Sequence, residues 1–251
     1  MIFLEITKYD SSSDSGTSSK TIKLAQQKSY EPMEVFTEMG KLSKERQFVE
    51  SVDTIIKLNV DPTKGDQMIR GTCILPEGTG KSVKVCVFAS SEVHEDLIAV
   101  GADIIGNDQT LLDIANGKIE FDKLLCSQEM IQDLKAYARV LGPRGLMPNT
   151  KSGTLVKRDQ IVEQVKQSKQ GLVEFRVNSD AFIKNKIGMR SFDEKALHAN
   201  FDALMMALID KKPESVKGRY FLKAMIKTTM GPTLRLNLEH YNQIVSQQLN
   251  L

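Results

Sequence analysis

Cysteine is scarce in this 251-residue chain: Cys73, Cys86 and Cys126 are the only three, far apart and without a C-x-x-C pair. That usage supports neither a disulfide framework nor a zinc cluster, and it points to a reducing compartment. Histidine is equally sparse. His94, His198 and His240 are scattered without a spaced partner, so no metal-ligand set or histidine-based catalytic group takes shape. No apolar run approaches the roughly 20 residues that a membrane helix needs, which excludes spanning. The patterns G-x-S-x-G, H-E-x-x-H and Walker A are also missing. Gly78-Thr79-Gly80-Lys81 has a faint likeness to a phosphate loop, but its spacing is incomplete and the strand follows it; a hairpin-like turn fits better. No G-x-G-x-x-G follows the first strand of the middle region, so nucleotide binding has little support. Neither a cofactor nor a metal is expected, and a small-molecule enzyme is the lesser alternative.

What is present is a globular composition: 41% hydrophobic and 26% charged residues, with 34 basic against 32 acidic side chains. A net charge of +2 taken alone argues against a nucleic-acid binder. Its distribution argues the other way. Residues 90–133 hold ten acidic residues against Lys118 and Lys123, whereas 135–158 hold six basic residues and no acid. Lys217, Arg219, Lys223, Lys227 and Arg235 form a second acid-free stretch. Two basic stretches beside one acidic block suit a phosphate-binding surface with a separate solubilising part.

Periodicity divides the chain. A Ser-rich run at 11–19 marks residues 1–29 as a flexible extension; lacking Arg and carrying Glu5, Asp10 and Asp14, it is a poor transit peptide. Residues 34–45 read as a helix, and 51–60 alternate as a half-buried strand. Strands at 83–89, 102–106 and 121–126 alternate with helices at 92–100, 109–115 and 129–139, the pattern of a parallel sheet. After Gly153 come a helix at 159–169 and strands at 172–177 and 181–187. A long helix follows, with Ser191 and Glu194 as a capping box, and then strands at 220–228 and 233–238. The strand at 51–60 finds partners only in the C-terminal third. The expected fold is therefore α/β and α+β in two domains. A discontinuous α+β domain (30–72 and 154–240) is interrupted by an inserted three-layer α/β domain (73–153), with crossings near Gly71 and Gly153 as a hinge and 241–251 as a tail.

The segment Leu141-Gly142-Pro143-Arg144-Gly145-Leu146-Met147-Pro148-Asn149-Thr150-Lys151-Ser152-Gly153-Thr154 stands apart. Its glycines and prolines oppose a helix and dictate a rigid turn path, and it carries Arg144 and Lys151 with no acid. It strongly resembles the bacterial signature of the large-subunit ribosomal protein L-one family, differing at Thr150 where proline is usual. The likeness runs from about residue 30 to 240. It takes in Phe48-Val49-Glu50-Ser51-Val52, Arg70-Gly71-Thr72, Gly101-Ala102-Asp103, Glu174-Phe175-Arg176 and Thr228-Thr229-Met230-Gly231-Pro232.

This resemblance implies a side-stalk protein whose end-built domain binds large-subunit rRNA. Its partners would be that RNA, exit-site tRNA transiently and other ribosomal proteins, and its work the release of deacylated tRNA; repression of its own mRNA is the alternative. Matched by position, the RNA surface includes Phe48, Ser51, Thr228, Thr229, Met230 and Gly231. Lys57, Arg176, Lys217, Lys223, Lys227 and Arg235 are candidates for phosphate contact. Arg70, Gly71, Gly142, Pro143, Arg144, Gly145, Pro148, Lys151 and Gly153 mark the hinge and signature. Two departures, Leu172 for a usual Arg and Ile55 for a frequent His, suggest a trimmed interface. With the Ser-rich extension and low net charge they favour a mitochondrial ribosome over bacterial cytoplasm or plastid.

Overall fold

Tyr30 enters the first strand of a sheet whose remaining members lie far along the chain. The computed structural model describes residues 28–44, 46–150 and 152–248. The Ser-rich run and Lys151 fall outside these. In chain order the elements are β1 (Ser29–Tyr30), α1 (Pro32–Leu42), β2 (Ser51–Leu58) and β3 (Arg70–Ile74), then β4 (Val85–Phe88), α2 (His94–Val100), β5 (Ile104–Ile105), α3 (Asp108–Ala115), β6 (Lys123–Ser127), α4 (Ile131–Lys135) and α5 (Ala138–Leu141). There follow β7 (Leu155–Val156), α6 (Ile161–Gln170), β8 (Leu172–Arg176), β9 (Phe182–Met189), α7 (Glu194–Asp210), β10 (Phe221–Thr228), β11 (Leu234–Leu236) and α8 (Glu239–Gln248).

The expected two-part architecture is present. Both chain ends build a five-stranded sheet in the order β1-β11-β10-β2-β9. Val52, Thr54, Ile56 and Leu58 of β2 point inward and are buried, as period-two alternation requires. Against them pack Phe36 and Met39 of α1 and Phe201, Leu204 and Leu208 of α7. Pro32 opens α1, where its pre-set φ suits the first helical turn. The middle of the chain forms a parallel sheet, β5-β4-β6-β7. Cys86, Phe88, Leu124 and Cys126 face one apolar cluster, and Val85, Val87 and Leu125 face another. Strands covered on both faces are near-continuously apolar, which is how this region reads. The three cysteines are buried and free, and burial pushes the Cys73 thiol up to about 11 and those of Cys86 and Cys126 to about 12.

Several boundaries differ from expectation for identifiable reasons. The parallel layer continues past 153: β7 pairs with β6, and Ile161 and Val165 of α6 share a core with Val85 and Leu125. The second crossing accordingly lies at Gly171, not Gly153. Leu75 N–H donates to the Gly171 carbonyl at 3.2 Å, and a Cβ on Gly171, whose φ is +110°, would sit 2.6 Å from Gly78 Cα. The helix expected at 129–139 breaks into α4 and α5. Glu194 forms no capping box with Ser191, because its carboxylate accepts the Thr37 hydroxyl of α1 at 2.7 Å; Asp193 stands at the cap. Ser29 belongs to β1, which pairs with β11, rather than to an extension. The supposed tail is α8, anchored by buried Tyr241 and Val245, with the Tyr241 hydroxyl donating to Asp202.

Candidate RNA-binding surface

The register of β10 against β2 sets Thr228 opposite Val52 and so brings Thr229 beside Ser51, 178 residues earlier. Three contacts lock the pair. Thr229 N–H donates to the Ser51 carbonyl at 3.0 Å, Ser51 N–H donates to Thr229 Oγ1 at 3.0 Å, and the two hydroxyl oxygens lie 3.1 Å apart. The Ser51 hydroxyl also reaches the Asp53 carboxylate at 3.3 Å. Phe48, three residues before Ser51, and Met230, next to Thr229, are 53% and 60% exposed. Oriented hydroxyls can bond sugar hydroxyls or phosphate, and exposed apolar side chains can cover a sugar or base.

Thr228 has a different part from the one its motif suggests. It is wholly buried, and its hydroxyl lies 3.2 Å from Ser43 Oγ. A Cβ on Gly231 would come within 2.2 Å of that hydroxyl. Glycine is therefore required at 231 by internal packing, quite apart from any close approach of RNA.

Beside this turn lies the outward face of the five-stranded sheet, opposite the core. Cross-strand partners arrange its side chains in rows: Arg235, Met225, Ile55 and Lys184; Lys223, Lys57 and Phe182; Lys227, Asp53 and Lys186. All are half-buried or exposed. Six cations thus share a face with one carboxylate. Like charges directly opposite one another, as in Lys57 and Lys223, oppose pairing and suit a polyanionic partner. The Lys57 ammonium sits 5.4 Å from the centroid of the Phe182 ring, where the ring quadrupole holds it. Burial lowers the Lys186 pKa, with Asp53 opposing that shift and Lys81 adding to it. Sequence reasoning missed Lys184 and Lys186. Their signal was the alternation of Ile183 and Ile187 with lysines in 182–187.

Other candidates are placed elsewhere. Lys217 lies in the turn before β10, at the end of that strand remote from Thr228, and is not gathered into the cluster. Arg176 is exposed on β8, directly opposite Arg70 of β3, whose guanidinium donates to Met68 Sδ at 3.1 Å. Gly71 leaves room for the Phe175 ring, which a Cβ would meet at 2.8 Å. The signature segment is no plain linker. Leu146 and Met147 pack into the parallel layer's core, Pro148 is buried, and the Arg144 guanidinium donates to the Gly117 carbonyl at 3.1 Å. Gly142 and Gly145 close the turn after α5, with Pro143 between them, and Gly153 has a φ of +64°. The segment meets the crossing strand through Ser152, which donates to the Glu174 carboxylate at 2.6 Å. Nearby, burial lowers the Lys123 amine to about 8, partly offset by Glu174.

Among the described residues no group of His, Cys, Asp and Glu is arranged to hold a metal ion, and no helix is long and apolar enough to cross a membrane. Residues 40–232 match the model of the Ribosomal protein L1p/L10e family. Three relatives are each named large ribosomal subunit protein uL1. That of Streptomyces avermitilis is 37% identical over 226 residues, spanning 90% of this chain and 92% of its own. That of Mycolicibacterium gilvum is 40% identical, over 84% of this chain and 87% of its own. That of Bifidobacterium adolescentis is 42% identical, over 75% and 81%. The architecture, the matched residues and these relatives agree: the chain belongs to the Ribosomal protein L1p/L10e family, a family of structural proteins and not of enzymes.

Proposed function

We propose that this chain is a structural component of the large ribosomal subunit that grips large-subunit rRNA at the mobile side stalk. As part of that stalk it assists release of deacylated tRNA from the exit site. The observation that carries the reading is the locked Ser51–Thr229 pair, flanked in sequence by exposed Phe48 and Met230 and continuous with a six-cation sheet face. Hydroxyls and apolar groups give shape-specific contact, while the lysines neutralise phosphates. Within the parallel layer, the stretch 90–133, with ten acidic residues against two basic ones, has the charge of a part that stays clear of RNA. The relatives are bacterial, which favours the cytoplasmic alternative; the mitochondrial expectation, drawn from Leu172, Ile55, the Ser-rich run and the net charge, gains nothing from them. Filter binding to a side-stalk RNA fragment tests the function. Between 50 and 200 mM salt, affinity should fall by roughly 1,000-fold or more if six or more phosphates are neutralised. A flat response would sink the phosphate reading.

A further inference from the structure

The turn that presents Phe48 is held by a side chain from another part of the fold. Arg190, immediately after β9, donates from Nη1 to the Lys44 carbonyl at 2.7 Å and from Nη2 to the Ser43 carbonyl at 3.0 Å. Its own backbone N–H donates to the Glu50 carbonyl at 2.9 Å. One residue therefore ties both the entry and the exit of the turn between α1 and β2. Inside it, Arg46 Nε meets Glu50 Oε1 at 2.8 Å, although Glu50 is only 2% exposed and its second carboxylate oxygen has no partner. Without such ties this turn has little to hold it. Phe48 and Val49 are more than half exposed, so burial of their apolar surface does little to fix their positions.

We propose that Arg190 is a positioning residue for RNA recognition: by clamping both ends of this turn it presents Phe48 to RNA in its bound geometry without touching RNA itself. The proposal rests on the RNA-binding reading above. Its physical basis is preorganisation: a turn ordered before binding spares the complex the entropy of ordering it afterwards. The guanidinium is suited to the task because its planar fork meets two adjacent carbonyls at once, which a lysine ammonium on a flexible stem does less well.

A guanidinium engaged with carbonyls releases no counterions when RNA binds, so its loss should leave the salt slope unchanged. Affinity of the full-length chain for a side-stalk RNA fragment should be measured over a salt series for the wild type, Arg190→Lys, Arg190→Gln and Lys57→Ala. Both Arg190 variants should bind on the order of tenfold more weakly, with faster dissociation and the wild-type slope. Lys57→Ala should lower the slope by about one. Amide hydrogen exchange of the RNA-free proteins supplies a second readout. Exchange at 46–51 should accelerate in both variants while β10 amides stay protected, which also shows that the variants are folded. Unchanged affinity, full rescue by lysine, unchanged exchange at 46–51, or a slope reduced by about one would each overturn the assignment, the last by making Arg190 a phosphate contact. Loss of β10 protection would overturn it too, by giving Arg190 a role in the whole fold. If the wild-type chain failed to bind the fragment, the RNA reading would fall, and exchange alone would still decide whether Arg190 holds the turn.

Discussion

Gly231 and Thr228 are locked together: a single added carbon at 231 would sit 2.2 Å from the Thr228 hydroxyl oxygen, inside any tolerable contact. That hydroxyl is also 3.2 Å from Ser43, so the turn after β10 is joined to the end of α1. Gly231→Ala should therefore destabilise the protein by about 1–3 kcal/mol, the usual range for overpacking. Chemical denaturation reads the loss. A neutral result would show that Thr228 rotates aside freely.

Met230 tests the proposed recognition surface itself. Met230→Ala removes a side chain that is 60% exposed, so stability should hardly move while RNA affinity falls several-fold. Asp96→Ala, in the acidic parallel layer, serves as the reference substitution in the same binding assay. Equal losses from the two would refute the site.

The sheet face makes a quantitative prediction about salt. Lys184→Ala and Lys223→Ala should each reduce the slope of log affinity against log salt by about one if the lysine meets a phosphate. Lys217→Ala, at the other end of β10, should leave the slope alone. The reverse ranking would relocate the surface.

Lys123 provides a pH signature of the contact between the layers. Burial lowers its amine to about 8, below the ordinary lysine value, so the unfolded chain holds a proton that the folded chain has released. Its cost to stability is therefore present in full below about pH 8 and fades as pH rises toward the ordinary lysine value. Melting temperature from pH 7 to 10, wild type minus Lys123→Met, should rise across that window. A flat difference would remove Lys123 from the balance.

Removing α8 should cost far more than loss of a tail. Truncation after Leu238 strips Tyr241 and Val245 from the main core, and burying such side chains contributes about 1.5–3 kcal/mol each. Thermal unfolding of the truncated chain would show a melting point lowered by many degrees. An unchanged midpoint would mean that the helix is dispensable.

How far the amino-acid order alone reaches is clearest at particular residues. Alternation in 51–58 and 221–228 specified strands and their buried faces, since side-chain period is a local property. The alternation of strands at 83–89, 102–106 and 121–126 with helices likewise announced a parallel sheet. Strands too short for any period to show, such as Leu155–Val156, left no such trace, so the parallel layer's extent was decided by pairing with β6. Helix α8 went unseen because its anchors, Tyr241 and Val245, are few among polar residues and acquire meaning only against Asp202 and the main core. Composition and motif were enough to indicate a basic surface on the end domain, the surface proposed to meet RNA. Which hydroxyl faces outward was settled by the register of β10 on β2, which buries Thr228 and presents Thr229 to Ser51. Such pairings between distant residues are fixed by packing and hydrogen-bond satisfaction across the whole fold, and no local pattern encodes them.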